Sequence, residues 1–198
     1  MKSIGKRALA AMAVVLAMLV PALTTAFVAF EDQMAGQTLP VDIDPVPAYS
    51  AAMVGDDVLW LARCIYSETK RAQEQELVAW VVRNRVETRY RGQGTYRGVV
   101  LDPYQFSAFN PGSRKRRLFM SLTPTSDAQG WETALRVAHD VYHARNTARP
   151  FPEETRHFYS EQSMTGRMRP VWADGEVPVR PAGFTIDPRR FRFYTDIW

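Results

Sequence analysis

The chain has 198 residues, enough for one folded domain and a leader but not for several domains. Its 25 Lys and Arg exceed its 21 Asp and Glu by four. Lys2, Lys6 and Arg7 are the only charges before Glu31, so without those three the excess is one, and net charge gives no reason to expect a nucleic-acid partner. The single cysteine, Cys64, excludes an intrachain disulfide, so five Trp, eight Tyr and ten Phe must help to build the core instead.

Residues 1–30 read as an export segment. Lys2, Lys6 and Arg7 precede an uncharged apolar run over 8–20, Pro21 interrupts it, and Thr24-Thr25-Ala26 supplies small residues for cleavage. Uncharged residues continue to position 30, long enough to span a bilayer at ~20 residues, so an uncleaved membrane anchor is the alternative. The apolar residues after Ala26 favour the anchor. Either way the basic start stays in the cytoplasm, and the rest is exported to the cell envelope, on its periplasmic or extracellular face. Residues 31–55, with Gly36, Pro40, Pro45 and Pro47 and no periodicity, read as a tether. Residues 56–198 remain as the chemistry-bearing domain.

That domain opens on Trp60-Leu61-Ala62-Arg63-Cys64-Ile65-Tyr66-Ser67-Glu68. Val58, Leu61, Ala62 and Ile65 recur at helical spacing, and Asp56 and Asp57 stand where an N-cap is wanted after Gly55. Glu68 lies seven after Leu61 and three after Ile65, on the apolar side. A carboxyl group there is either paired, with Lys70 or Arg71 nearest in sequence, or desolvated with its pKa raised, as a general acid requires. This stretch alone leaves both readings standing. Cys64 sits in the same pattern with no histidine near it in sequence and reads as a buried small hydrophobe.

A polar link over 70–73 leads to a second helix over about 75–88. Leu77, Val78, Val81, Val82 and Val86 make its apolar stripe, with Trp80 beside them. Asn84 borders the buried side, where it can bond a neighbouring loop or a sugar, and a structural amide is the commoner case. Arg83, Arg85, Arg89 and Arg91 read as a solvated face. Beyond the Gly92-Gln93-Gly94 loop, Tyr104-Gln105-Phe106-Ser107-Ala108-Phe109 alternates polar and aromatic residues like a half-buried strand, closed by a turn at Asn110-Pro111-Gly112-Ser113. Tyr104, Gln105 and Ser107 offer the aromatic face, amide and hydroxyl that sugar binding uses. Arg114-Lys115-Arg116-Arg117 is a basic loop, either solvated or attractive to an anionic polymer or membrane surface.

A third helix is expected over about 128–145, with Trp131, Ala134, Leu135, Ala138, Val141 and Tyr142 on one side. It carries His139 and His143, four apart, a spacing that can hold zinc from one helix face. The zinc-protease pattern has Glu directly after the first His, however, and here that residue is Asp140. Two histidines near a helix C-terminus, favoured by the dipole, are the simpler reading, and no metal or other cofactor is expected. Arg156-His157-Phe158-Tyr159-Ser160 and Arg190-Phe191-Arg192-Phe193-Tyr194 read as short strands.

In order, these stretches resemble the SleB-type cell-wall hydrolases, named for a spore-cortex-lytic enzyme. Leu61-Ala62-Arg63-x-Ile65-Tyr66-Ser67-Glu68 is similar to that family's opening motif, approximately L-A-R-x-I-Y-x-E-A-R-G-E. Val81-Val82-Arg83-Asn84-Arg85-Val86 resembles V-V-x-N-R-V, Gln105-Phe106-Ser107 resembles Q-F-S, and His157-Phe158-Tyr159 with Pro170-Val171-Trp172 resembles the H-x-Y and P-x-W pair. The likeness departs after the acid, where Thr69-Lys70-Arg71-Ala72 replaces A-R-G-E, and the basic loop has no counterpart in it.

The resemblance implies an α+β, mainly helical, lysozyme-like fold with a small β-sheet, acting on peptidoglycan glycan strands. It implies Glu68 as catalytic acid, with Tyr66, Asn84, Tyr104, Gln105, Phe106, Ser107, His157 and Tyr159 as substrate-binding residues. It further implies lytic transglycosylation between N-acetylmuramic acid and N-acetylglucosamine, in which one Glu serves as acid and then base. A water-using muramidase or glucosaminidase and a non-catalytic wall-binding module are the alternatives. Partners beyond the glycan are the membrane, if the leader is uncleaved, and an unidentified regulatory protein that an autolytic activity would call for.

Overall fold

The computed structural model describes residues 48–164 and 169–197; the leader and residues 31–47 of the tether lie outside them. Helix α1 spans Asp56–Glu68. Its N-cap is Gly55, so Asp56 and Asp57 occupy the first turn instead, where an anion favours the positive end of the helix. Val58, Leu61, Ala62, Cys64 and Ile65 are buried as their spacing requires. Cys64 is a free thiol with no exposure, its pKa pushed up first by burial and then by the charge of Glu68. Ordered packing begins before α1, because Tyr49 and Val54 rest on the core.

Helix α2 spans Ala72–Glu87 and starts three residues before its expected boundary. No apolar stripe survives in it. Leu77, Val78, Ala79, Trp80, Val81 and Val82 are all buried, so every face of this stretch is covered. The reason is position: α2 packs against α1, α3 (Tyr96–Leu101), α5 (Trp131–His143) and β1 (Thr155–Tyr159), which makes it the central helix.

The expected strand over 104–109 is absent. Residues 102–106 turn and Ser107–Phe109 is a single 3-10 turn. Asp102-Pro103 breaks the chain, and the Asn110 side chain takes the Tyr104 amide at 2.8 Å, which holds Tyr104 in the left-handed region at φ 66°. The basic run is helical in part, since α4 spans Arg116–Met120. Helix α5 is shorter at both ends than its expected 128–145, because Gly130 at φ 75° caps it and Ala144 leaves it extended.

Strand β1 pairs antiparallel with β2 (Arg192–Thr195) in a two-stranded sheet. His157 faces Tyr194, Phe158 faces Phe193, and a bulge lies between Thr155 and His157. The described residues are thus mainly helical α+β with one small sheet, in keeping with the lysozyme-like fold that the family resemblance implies. No helix among the described residues is long and apolar enough to cross a membrane.

Candidate active site

Glu68 ends α1, and Thr69 caps the helix by donating its amide to Ile65 O at 3.1 Å. The carboxyl group opens into a cleft of about 570 Å³ lined also by Arg85, Tyr90, Tyr104, Gln105 and His157, among others. Neither neighbouring cation reaches it. The Lys70 ammonium bonds Tyr66 O and lies 3.0 Å from the centroid of the Tyr66 ring, while Arg71 approaches Glu74 at 3.7 Å. The paired reading of Glu68 is therefore overturned. Burial pushes its pKa up to about 7, against the smaller opposing pull of Arg85. Its place in the last helical turn, beside carbonyls left without helical partners, is also the wrong end for an anion. It is the only Asp or Glu among the described residues that line the cleft.

The link after Glu68 lacks the family's Gly-Glu and is held by other means. Thr69 Oγ1 donates to Glu74 Oε2 at 2.6 Å, Gln75 Nε2 donates to Thr69 O at 2.9 Å, and Arg190 grips both Glu74 oxygens at 2.5 and 3.0 Å. This clamp ties the end of α1 to the segment of Arg190, whose neighbour Phe191 also lines the cleft. Burial acts to raise the pKa of Glu74, but the hydrogen bonds from Arg190 and Thr69 and the nearby arginine charges outweigh it, so the net shift is downward. A depressed folded pKa contributes stability above the ordinary carboxylate range that is lost as pH falls through the folded value. Glu74→Ala should therefore cost about 2 kcal/mol at neutral pH, after discounting the partly exposed Arg190, and less at an acid pH below its depressed folded value. Thermal melts at the two pH values check this, and an equal loss at both would disprove the clamp.

Arg85 corrects the solvated-face expectation. It is buried in α2, its guanidinium 5.4 Å from the Tyr90 ring centroid and 5.1 Å from that of Phe106. Its Nε donates to Arg156 O at 2.7 Å, and Asn84 Nδ2 donates to Thr155 O at 2.9 Å and Pro152 O at 3.2 Å. The strand bulge explains the pair: it takes backbone carbonyls out of the ladder, and the adjacent Asn84 and Arg85 satisfy them. Burial brings the pKa of Arg85 down to about 10, so it remains a cation at neutral pH. It forms no ion pair among the described residues, and its Nη1 is shielded from water without a partner. Arg83 is not a free surface charge either, since it donates to Val141 O and Ala144 O at 2.7 Å each.

Of the eight expected substrate contacts, Tyr104, Gln105, Ser107, His157 and Tyr159 line the cleft. Three do not. Asn84 is fully buried on the carbonyls just named. Phe106 is a core residue packed on Phe158. Tyr66 is buried, with its hydroxyl donating to Gln129 O at 3.0 Å in the loop before α5. His157 shares a 2.9 Å hydrogen bond between Nε2 and the Tyr90 hydroxyl. Burial, then the charges of Arg85 and Arg156, bring its pKa down to about 4, so the ring is neutral wherever Glu68 titrates. Trp172 closes the aromatic wall, its ring centroid 5.3 Å from His157 and set edge-on to Tyr159 and Tyr194. Tyr90 and Asn110 also line the cleft, and no pattern in the sequence pointed to either. The other candidate centre, His139 and His143, has its rings 4.6 Å apart, with His139 buried against Tyr49. No group of three His, Cys, Asp or Glu side chains that could hold a metal occurs among the described residues.

A family profile described as Cell Wall Hydrolase matches residues 69–180, more than half of the chain. The chain belongs to this family, the SleB-type cell wall hydrolases. No curated protein and no solved structure matches it. Membership makes the chain an enzyme acting on peptidoglycan, and the matched span takes in the cleft residues from Arg85 to Trp172. It begins one residue after Glu68, so the role of that residue rests on the geometry above.

Proposed function

We propose that this cell wall hydrolase is a lytic transglycosylase that cuts glycan strands between N-acetylmuramic acid and N-acetylglucosamine with Glu68 as acid and then base. One observation carries the reading: a single carboxyl group, protonated near neutrality, faces a polar and aromatic cleft whose described lining holds no second one. Hydrolysis by two carboxylates needs an acid and, across the sugar, a base or nucleophile. Lytic transglycosylation needs one. Glu68 gives its proton to the glycosidic oxygen as the bond to the muramyl C1 breaks. The muramyl 6-hydroxyl then attacks C1 and returns its proton to Glu68, leaving a 1,6-anhydro end with no water consumed. Gln105, Ser107 and the neutral His157 supply hydrogen-bonding groups to the sugars, and Tyr104 and Trp172 supply ring faces. Such an enzyme works outside the cytoplasm, in keeping with the basic, apolar leader.

Digestion of purified peptidoglycan by the full-length protein, with mass analysis of the released muropeptides, tests the reading. Products lighter by one water than reducing-end fragments are the expected result. Reducing ends would keep Glu68 as the acid and make water the nucleophile, as in a muramidase or glucosaminidase according to which sugar carries the new end. Binding without release of fragments would leave a wall-binding module.

A further inference from the structure

Two basic stretches that this chemistry does not use meet beside the cleft. Arg114, Lys115 and Arg117 are exposed at the start of α4, and none forms an ion pair among the described residues. Their turn is fixed to the cleft wall, because Ser113 donates its amide to Asn110 O at 3.0 Å and the Arg116 guanidinium bonds Phe109 O. Lys70, two residues after Glu68, approaches from the other side, with its ammonium 5.8 Å from the centroid of the Phe119 ring of α4. Burial and then the charge of Lys115 pull the pKa of Lys70 down to about 8, as expected of cations crowded without an acid between them. Such a cluster attracts anions. Its backbone bond to Asn110, which lines the cleft, sets it beside the path of a glycan strand that leaves the cleft on that side.

This inference rests on the glycan-cleaving reading and names what else the strand must carry. Each muramyl unit can bear a short peptide with free carboxylates, which hangs to the side of the sugar chain. We propose that Arg114, Lys115, Arg117 and Lys70 form a bank that binds these carboxylates, so that peptide-bearing strands are preferred over naked ones. Wall phosphate polymers or a lipid surface would satisfy the same charges, but only the substrate itself is brought to the bank by occupancy of the cleft.

The test uses the full-length protein with Glu68→Gln, so that bound strands stay uncut, beside the same protein with Arg114→Gln, Lys115→Gln and Arg117→Gln added. Binding is measured to peptidoglycan stripped of phosphate polymers, to the same strands after an amidase has removed the peptides, and to anionic lipid vesicles. Circular dichroism confirms that both proteins are folded. The expected result is affinity at least about tenfold higher for peptide-bearing than for naked strands. The triple variant should lose that preference, and salt near 1 M should erase it by screening. An unchanged preference in the triple variant overturns the proposal, as does an equal loss on both kinds of strand. Dependence on the phosphate polymer or the vesicle would overturn it in favour of those partners. Cleavage by the protein with Glu68 intact is scored separately. Failure to cut any strand refutes the underlying activity, whereas cutting without a peptide preference refutes only the bank.

Discussion

Glu68→Gln should slow cleavage by orders of magnitude and at the same time stabilise the fold above neutral pH. Gln keeps the shape of the side chain but has no proton to give, and general acid catalysis contributes ~10²–10⁴-fold, so turnover should fall by about that factor. The stability effect has the opposite sign. The folded pKa is about 7 against an ordinary value of 4.5, so between these values the folded chain holds a proton that the unfolded chain has released. Stability contributed by this group is complete below the lower value and is lost as pH rises through the upper one. Near pH 8 the wild-type protein then carries a desolvated carboxylate costing on the order of 2 kcal/mol, after allowance for the open side of the cleft. Gln removes that cost, so the variant should melt higher than wild type near pH 8 and close to it near pH 4. Melts at both pH values, run beside muropeptide release, decide the matter. An inactive variant that also melts lower near pH 8 would make Glu68 a structural residue, and an active one would remove it from the chemistry.

Although α1 is buried on every face from Trp60 to Tyr66, more than its apolar spacing implies, the side taken by Glu68 was legible, because a 3.6-residue period sets it beside Leu61 and Ile65. The burial of Arg85 was not. It stands among Arg83, Arg89 and Arg91, which looks like a solvated run, and what draws it inward is a carbonyl 71 residues away, released by a strand bulge. No local pattern carries that information. Family likeness did mark the Asn84-Arg85 pair, and of the two roles open to Asn84 from its place on the helix, a sugar contact or a structural amide, the structure shows the amide holding backbone. The apparent strand at 104–109 failed for a related reason. Its alternation covers only six residues, and the side chain of Asn110 turns the backbone by bonding the Tyr104 amide. Turn chemistry supplied by one side chain overrides a short period-two pattern. Tyr104 nonetheless reaches the cleft, because a tight turn can present a ring to solvent as a strand edge can.

Arg85 sets the second large effect. The proposed cycle asks Glu68 to be neutral before bond cleavage and anionic just after it. Burial alone serves only the first state. Arg85 serves the second, since it shares the cleft, keeps its charge at neutral pH and has no carboxylate partner within ion-pair distance among the described residues. Cys64 on α1 is pushed toward its neutral thiol by burial, His157 is neutral above about pH 4, and Lys70 is turned onto Tyr66. The wild-type rate should therefore fall above about pH 7, tenfold for each further unit, as Glu68 loses its proton. Arg85→Met should move this limb to higher pH and lower the maximal rate about tenfold or more, because the acid must then leave an anion facing no counter-charge. Arg85→Lys should restore the position of the limb even if it cannot remake the bond to Arg156 O, since a dry positive charge acts through its field and the bond acts through geometry. A limb that stays in place in Arg85→Met, in a protein that still melts cooperatively, would reduce Arg85 to a strut for the bulge. A limb that moves in Arg85→Met and returns in Arg85→Lys identifies Arg85 as the charge that lets one carboxyl group act as both acid and base.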